Sequence, residues 1–117
     1  MALLIYLASP FSHPSDAVRN HRYLEARRFT IDALLNGVAI FSPIVYGKDM
    51  ETAVGTAFEP WQGLNDVMIR SCEAVWVLCL EDWIKSRGVR HEIEFAHSLS
   101  KPVYFFAPGG RKLDVDY

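Results

Sequence analysis

The stretch SRGVRHEIEFA, residues 86–96, reads as a glycine turn followed by a helix, with Val89, Ile93 and Ala96 at helical spacing. At about 100° per residue, Phe95, Leu99, Glu92, Ala96, Val89 and Ile93 fall in one arc. Arg90, His91, Glu94, His97 and Ser98 fill the opposite arc. Glu92 therefore stands in the middle of the apolar face, whereas Glu94 stands where a solvated carboxylate belongs. Burying a lone carboxylate costs several kcal/mol unless it is paired or shifts its pKa. Two readings meet that cost. Glu92 is a structural glutamate satisfied by Arg90 or a backbone donor, or it is a nucleophile or base in an apolar cleft.

Working outward, the neighbouring segments alternate. Leu3 to Ala8 is a continuous apolar run, as expected of a strand covered on both faces. The loop SPFSHPS follows, and Ser15 or Asp16 can cap a helix that runs to about Asn36 and stops at Gly37. Leu24, Ile31, Leu34 and Leu35 are its expected buried stripe, and Arg19, Arg22, Arg27 and Arg28 its basic, solvated side. Val38 to Val45 reads as a second strand broken at Ser42-Pro43, and Tyr46 to Pro60 as a polar loop long enough to suspect function. Trp61 to Glu73 reads as a helix with Trp61, Leu64 and Met68 inward. Ala74 to Leu80 is a third strand, Glu81 to Gly88 a loop, Val89 to Ser100 the helix of Glu92, and Pro102 to Ala107 a fourth strand before a short polar tail.

This βαβαβαβ order predicts one α/β domain over residues 1–117, a three-layer sandwich with a mainly parallel four- to five-stranded sheet of flavodoxin- or Rossmann-like type. Ligands in such folds bind outside the carboxyl ends of the strands. The loops expected there are 9–15, 42–60 and 81–88, with the residues near Pro108. Glu92, near the start of its helix, can then face the sheet and still reach a ligand.

Composition narrows the partners. The chain has 117 residues, half of them apolar, which is enough for a real core, and a formal net charge of −2. That balance argues against duplex nucleic acid as an obligatory partner, but not against a single nucleotide. The longest apolar run, Ala74 to Leu80, is too short to span a bilayer, and MALLIYLASP lacks the positive n-region of a signal peptide. Cys72 and Cys79 lie in apolar surroundings without metal-ligand spacing, as reduced thiols of a cytoplasmic protein do.

Several motifs are absent or bland. Neither G-x-x-x-x-G-K-[ST] nor a G-x-G-x-x-G after the first strand occurs. His91 and His97 are six apart, about 240° around a helix, and cannot share a metal as H-E-x-x-H does. His91 reads as a solvated helix position, Asp66 as an ordinary exposed carboxylate, and Trp61 and Trp83 as core or lid residues. Ser9, Ser12 and Ser15 can serve as turn and cap residues or donate to an anion near the helix N-terminus, with Arg19 beside them. Ser42 either stops a strand or lines a pocket.

YLASPF at the first strand, FSP at the second, ND on the helix before AVWVLCL, and S-x-G-V-x-x-E-x-x-x-A before KPV form an ordered set. Together, over residues 4–104, they resemble the nucleoside 2-deoxyribosyltransferase superfamily. The resemblance implies chemistry at C1′ of a nucleoside or nucleotide, with no metal or organic cofactor. It makes Glu92 the nucleophile and gives Asp66 the base or its proton. It places Tyr6, Ser9 and Phe11 in the pocket and Ser86 on the substrate. The expected contacts beside them are Gly88 and the N–H groups at the start of the Val89 helix, Ser12 or Arg19, and Ser42.

Ser86 replaces the aspartate that binds the 5′-hydroxyl in transferases of free nucleosides. In this it is similar to the nucleoside 5′-monophosphate N-glycosidases, and a hydroxyl suits a phosphate where a carboxylate would repel it. Glu94 replaces a customary glycine. The resemblance also implies a homodimer or larger homo-oligomer. The implied function is N-glycosidase action on a nucleoside 5′-monophosphate. The alternatives are deoxyribosyl transfer, a non-catalytic nucleotide-binding or sensing module, and hydrolysis of an NAD-like nicotinamide–ribose bond.

Overall fold

The computed structural model describes residues 3–54 and 58–117, apart from the side chains of residues 52 and 58–60. Five strands, β1 (Leu4–Ala8), β2 (Ala39–Phe41), β3 (Ala74–Leu78), β4 (Val103–Phe106) and β5 (Lys112–Leu113), form one sheet in the order β2-β1-β3-β4-β5. The first four are parallel and β5 is antiparallel to β4. This is the flavodoxin-like order, whose direction of winding reverses beside β1. The polar tail thus supplies the fifth strand.

Alternation along the strands divides the core. Ile5 and Leu7 meet Ala26, Phe29 and Ala33 of α1 (Asp16–Leu35) on one face. Tyr6, Ala8, Val75 and Val77 meet Ile69 of α4 (Phe58–Ser71) and Val89, Ile93 and Ala96 of α5 (Arg87–Ser98) on the other. Helices on both faces make the three-layer sandwich.

Local chemistry fixes the helix ends. Ser15 caps α1 by accepting from the Val18 N–H at 3.3 Å. Gly37, at φ +80°, provides the left-handed turn that ends it. Within α1, however, the buried residues are Arg22, Ala26, Phe29, Thr30 and Ala33. The leucine-rich stripe expected to be buried lies on the opposite side: Leu24, Ile31 and Leu34 are exposed, and Leu35 is 81% exposed. Small Ala26 and Ala33 let the helix approach the sheet closely, with Phe29 filling the gap against Trp76 and Phe106. The presumed solvated Arg22 belongs to that buried side.

Residues 43–54 also differ from expectation. Instead of a strand end and loop they form α2 (Pro43–Gly47), a 3₁₀ turn (Lys48–Met50) and α3 (Glu51–Val54). Ser42 accepts from the Val45 N–H at 3.2 Å and Pro43 occupies a first-turn position, an ordinary helix start. Residues 55–57 of the expected loop lie outside the described residues. In α4, Trp61, Leu64 and Met68 are half-buried and Ile69 is the fully buried anchor. Both thiols are unpaired; burial pushes that of Cys72 up to about 11 and raises that of Cys79 as well.

Candidate active site

A cavity of about 150 Å³ opens beyond the carboxyl ends of β1, β2 and β3. Ser9, Phe11 and Ser12 follow β1. Pro43, Ile44, Gly47, Lys48 and Glu51 follow β2. Trp61 and Asn65 come from α4, and Ser86, Gly88 and Glu92 from the start of α5.

Glu92 is 7% exposed, on the sheet-facing side of α5 with Val89, Ile93 and Ala96. Its partner is neither Arg90 nor a backbone group: the Tyr6 hydroxyl donates to its Oε2. Burial pushes the carboxyl up to about 8, against the lowering effect of the Tyr6 bond and with a smaller raising effect from Asp66. Burial, followed by the charge of Glu92, raises the Tyr6 phenol well above its ordinary value, so Tyr6 is the donor. At neutral pH this raised pKa favours the protonated carboxyl.

Ser86 caps α5, accepting from the Val89 N–H at 3.2 Å, which leaves its O–H to donate at the cavity wall. Gly88 is next to it. Ser9 is buried with its Oγ unpartnered, and Asn65 Oδ1 is likewise buried without a partner. Both residues line the cavity. Buried polar atoms left unsatisfied cost about 1–3 kcal/mol each, so these two are natural contacts for a polar ligand.

The expected site residues thus divide. Ser9, Phe11, Ser12, Ser86, Gly88 and Glu92 line the cavity together, and Tyr6 lies behind Glu92. Ser42 is buried as the cap of α2 rather than a lining residue. Arg19 pairs with Asp16, donates to the His13 carbonyl and is not itself a lining residue. Asp66 also stands outside the lining. Its carboxylate is 2.9 Å from His91 Nε2, across the α4–α5 seam. His91 is therefore not a solvated position: it faces Asp66 and stacks on Phe95 at 5.9 Å. Glu94 is exposed, so its replacement of a glycine leaves the buried face of α5 undisturbed. Trp61 lines the cavity, whereas Trp83 packs on Phe105 and Tyr117.

Sequence reading missed Ile44, Lys48, Glu51 and Asn65. Lys48 and Glu51 form an ion pair of 2.9 Å. Their i, i+3 spacing after Ser-Pro was the available sign of a helix there. Asn65, next to Asp66 in the sequence, is the residue of the pair that faces the cavity. Among the described residues no group of acidic, histidine or cysteine side chains could hold a metal ion, and no helix is long and apolar enough to cross a membrane.

Residues 3–108 match the family described as "Domain of unknown function (DUF1937)". No curated protein matches the chain. Among solved structures, the chain is similar to the 2-deoxyribosyltransferase of the psychrotolerant bacterium Bacillus psychrosaccharolyticus, at 21% identity and a TM-score of 0.59. That alignment covers 97% of this chain and 77% of the other. A 2-deoxyribosyltransferase from Leishmania mexicana aligns at 23% identity and a TM-score of 0.55, covering 90% of this chain and 64% of the other. The chain belongs to the DUF1937 family and is built on the fold of the 2-deoxyribosyltransferases.

Proposed function

We propose that the protein is an N-glycosidase that cleaves the base–sugar bond of a nucleoside 5′-monophosphate, with Glu92 as nucleophile. The observation that carries this reading is the carboxyl of Glu92, buried, bonded to Tyr6 and lining a cavity at the carboxyl edge of the sheet. Ionised Glu92 attacks C1′ as the base leaves with the bonding electrons, through an oxocarbenium-like transition state. Water then attacks C1′ of the ribosyl ester, the C1′–O bond to Glu92 breaks to free the carboxylate, and the water's proton passes to the residue that protonated the base.

Ser86, with the first N–H groups of α5, supports a phosphate at the other end of the sugar, because hydroxyl and amide donors favour an anion. Asp66 protonates the departing base or orients it. In the free protein its carboxylate is engaged by His91, so that role requires the His91 contact to be exchanged for the base. Ser9 and Asn65 supply the unmatched polar atoms that a sugar or base would satisfy.

Likeness to 2-deoxyribosyltransferases favours one second reading, in which another base rather than water resolves the ester. Incubation with nucleosides, 5′-monophosphates and NAD, followed by chromatography of the free base, tests both. Release from monophosphates alone supports hydrolysis of that class. Release from nucleosides that is stimulated by a second base supports transfer instead. Binding without release leaves a nucleotide-binding module, and release of nicotinamide identifies an NAD-type hydrolase. A homo-oligomeric, cytoplasmic protein remains part of the proposal.

A further inference from the structure

Among the described residues, Arg22 is the one buried cationic side chain, at 8% exposure. No carboxylate there is paired with it. Its guanidinium instead grips backbone from two loops. Nη1 donates to the Ser12 carbonyl at 2.9 Å and to the Phe11 carbonyl at 3.5 Å, and Nη2 donates to the Glu81 carbonyl at 3.4 Å. Phe11 and Ser12 line the cavity. Glu81 begins the segment that leads from β3 to Ser86, another lining residue. The planar fork of an arginine suits this bridging.

Carbonyl dipoles meet the two terminal nitrogens of Arg22 but do not cancel its unit charge. At the cavity wall Lys48 and Glu51 neutralise one another. Glu92 shares its carboxyl with the Tyr6 hydroxyl in an apolar setting. Among the described residues, no carboxylate thus forms an ion pair with the charge behind the Phe11–Ser12 segment.

We propose that Arg22 is the positioning residue that ties the Phe11–Ser12 and Glu81 segments into one wall and makes the cavity selective for a ligand bearing a phosphate-like anion. This inference rests on the proposed function and names the residue behind its phosphate preference. Arg22 acts through the loops it holds and through its field, without touching the substrate. Arg19, the arginine the sequence favours for this task, is spent on Asp16 and His13.

Calorimetric titration with ribose 5-phosphate and with ribose tests the inference, the readout being the ratio of the two affinities. In the unaltered protein the phosphorylated sugar binds tighter by about ten-fold or more, the scale of a charge-assisted contact. Arg22→Lys keeps the charge but loses the fork, and its ratio falls part of the way. Arg22→Met brings the ratio close to unity. A role in stability alone would weaken both sugars by the same factor and leave the ratio unchanged. That result overturns the inference, as does an unaltered protein that does not distinguish the two sugars. Should Arg22→Met fail to fold by circular dichroism, the Arg22→Lys ratio and that of the unaltered protein decide. Base release plays no part in this readout. A protein that binds ribose 5-phosphate through Arg22 yet frees no base upholds the inference and removes the proposed reaction.

Discussion

The hydroxyl of Tyr6, in the middle of β1, donates to the carboxyl of Glu92, in the second turn of α5. This bond joins an interior strand to the candidate nucleophile on the buried face of the sheet. The Tyr6 bond lowers the Glu92 pKa, against the burial that raises it. Tyr6→Phe therefore moves Glu92 further up. The rising limb of kcat/KM against pH, set near 8 by Glu92, shifts to the alkaline side, and activity at neutral pH falls by about ten-fold for each unit of that shift. Full pH–rate profiles of both proteins check this. A Tyr6→Phe limb at or below the original one contradicts it.

The same burial predicts how stability changes with pH. Folding raises the Glu92 pKa from an ordinary 4.5 to about 8, so protonation favours the folded state. The contribution is complete below the unfolded value and is lost as pH climbs through the folded one, for a total on the order of 4–5 kcal/mol. Glu92→Gln has no proton to lose and still accepts from Tyr6. Urea unfolding between about pH 4.5 and 8 should show the variant gaining on the parent protein as pH rises. Parallel curves would place the Glu92 carboxyl in a far wetter setting.

Gly47 lies against Trp61 at the cavity. A Cβ added there meets the indole at 3.1 and 3.2 Å, so the ring must give by a few tenths of an ångström. Gly47→Ala should weaken ligand binding several-fold at a stability cost of about 1 kcal/mol, since the glycine has no positive φ to protect. Tryptophan fluorescence and ligand titration report the two effects. Unchanged affinity would mean that the indole position is irrelevant to the ligand.

Lys101 closes the carboxyl end of α4. Its Nζ donates to the Ile69 carbonyl at 2.7 Å and also to those of Arg70 and Cys72. Carbonyls at a helix end lack intrahelical donors, and a cation there also meets the helix dipole favourably. Lys101→Met should cost about 1–2 kcal/mol and lower the melting temperature, with ligand binding retained. A variant as stable as the parent would show that water replaces the amine at no cost.

The two sides of α1 make opposite predictions. Phe29→Ala empties a site packed between Trp76 and Phe106 and should cost about 3–5 kcal/mol. Leu35→Ala removes a side chain that is already exposed and should change stability by less than about 0.5 kcal/mol. Denaturant unfolding of the two variants decides whether the packed side is the one described.

That helix shows where sequence reading succeeds and where it stops. The extent of α1 is local chemistry, a serine cap and a glycine stop, and both were legible. Which side it buries was not: leucines outnumber alanines in apolar weight, but the sheet selects the side that permits close approach. The buried glutamate was legible because α5 is strongly one-sided. Its true partner was not, since Tyr6 lies in another element and helical geometry names only neighbours such as Arg90. Ser42-Pro43 carried a helix-start signal that strand propensity on the preceding residues obscured, and with it went Lys48 and Glu51. Asp66 and Asn65 are adjacent, and only the crossing of α4 over α5 turns one toward His91 and the other toward the cavity.

The most direct test of the central claim is chromatographic detection of free base after incubation with a panel of nucleoside 5′-monophosphates, run in parallel on the unaltered protein and on Glu92→Gln. The account predicts base release by the unaltered protein and none above background by the variant, with both folded by circular dichroism. Equal release by the two proteins would contradict it, because the reaction would then proceed without the carboxylate of Glu92.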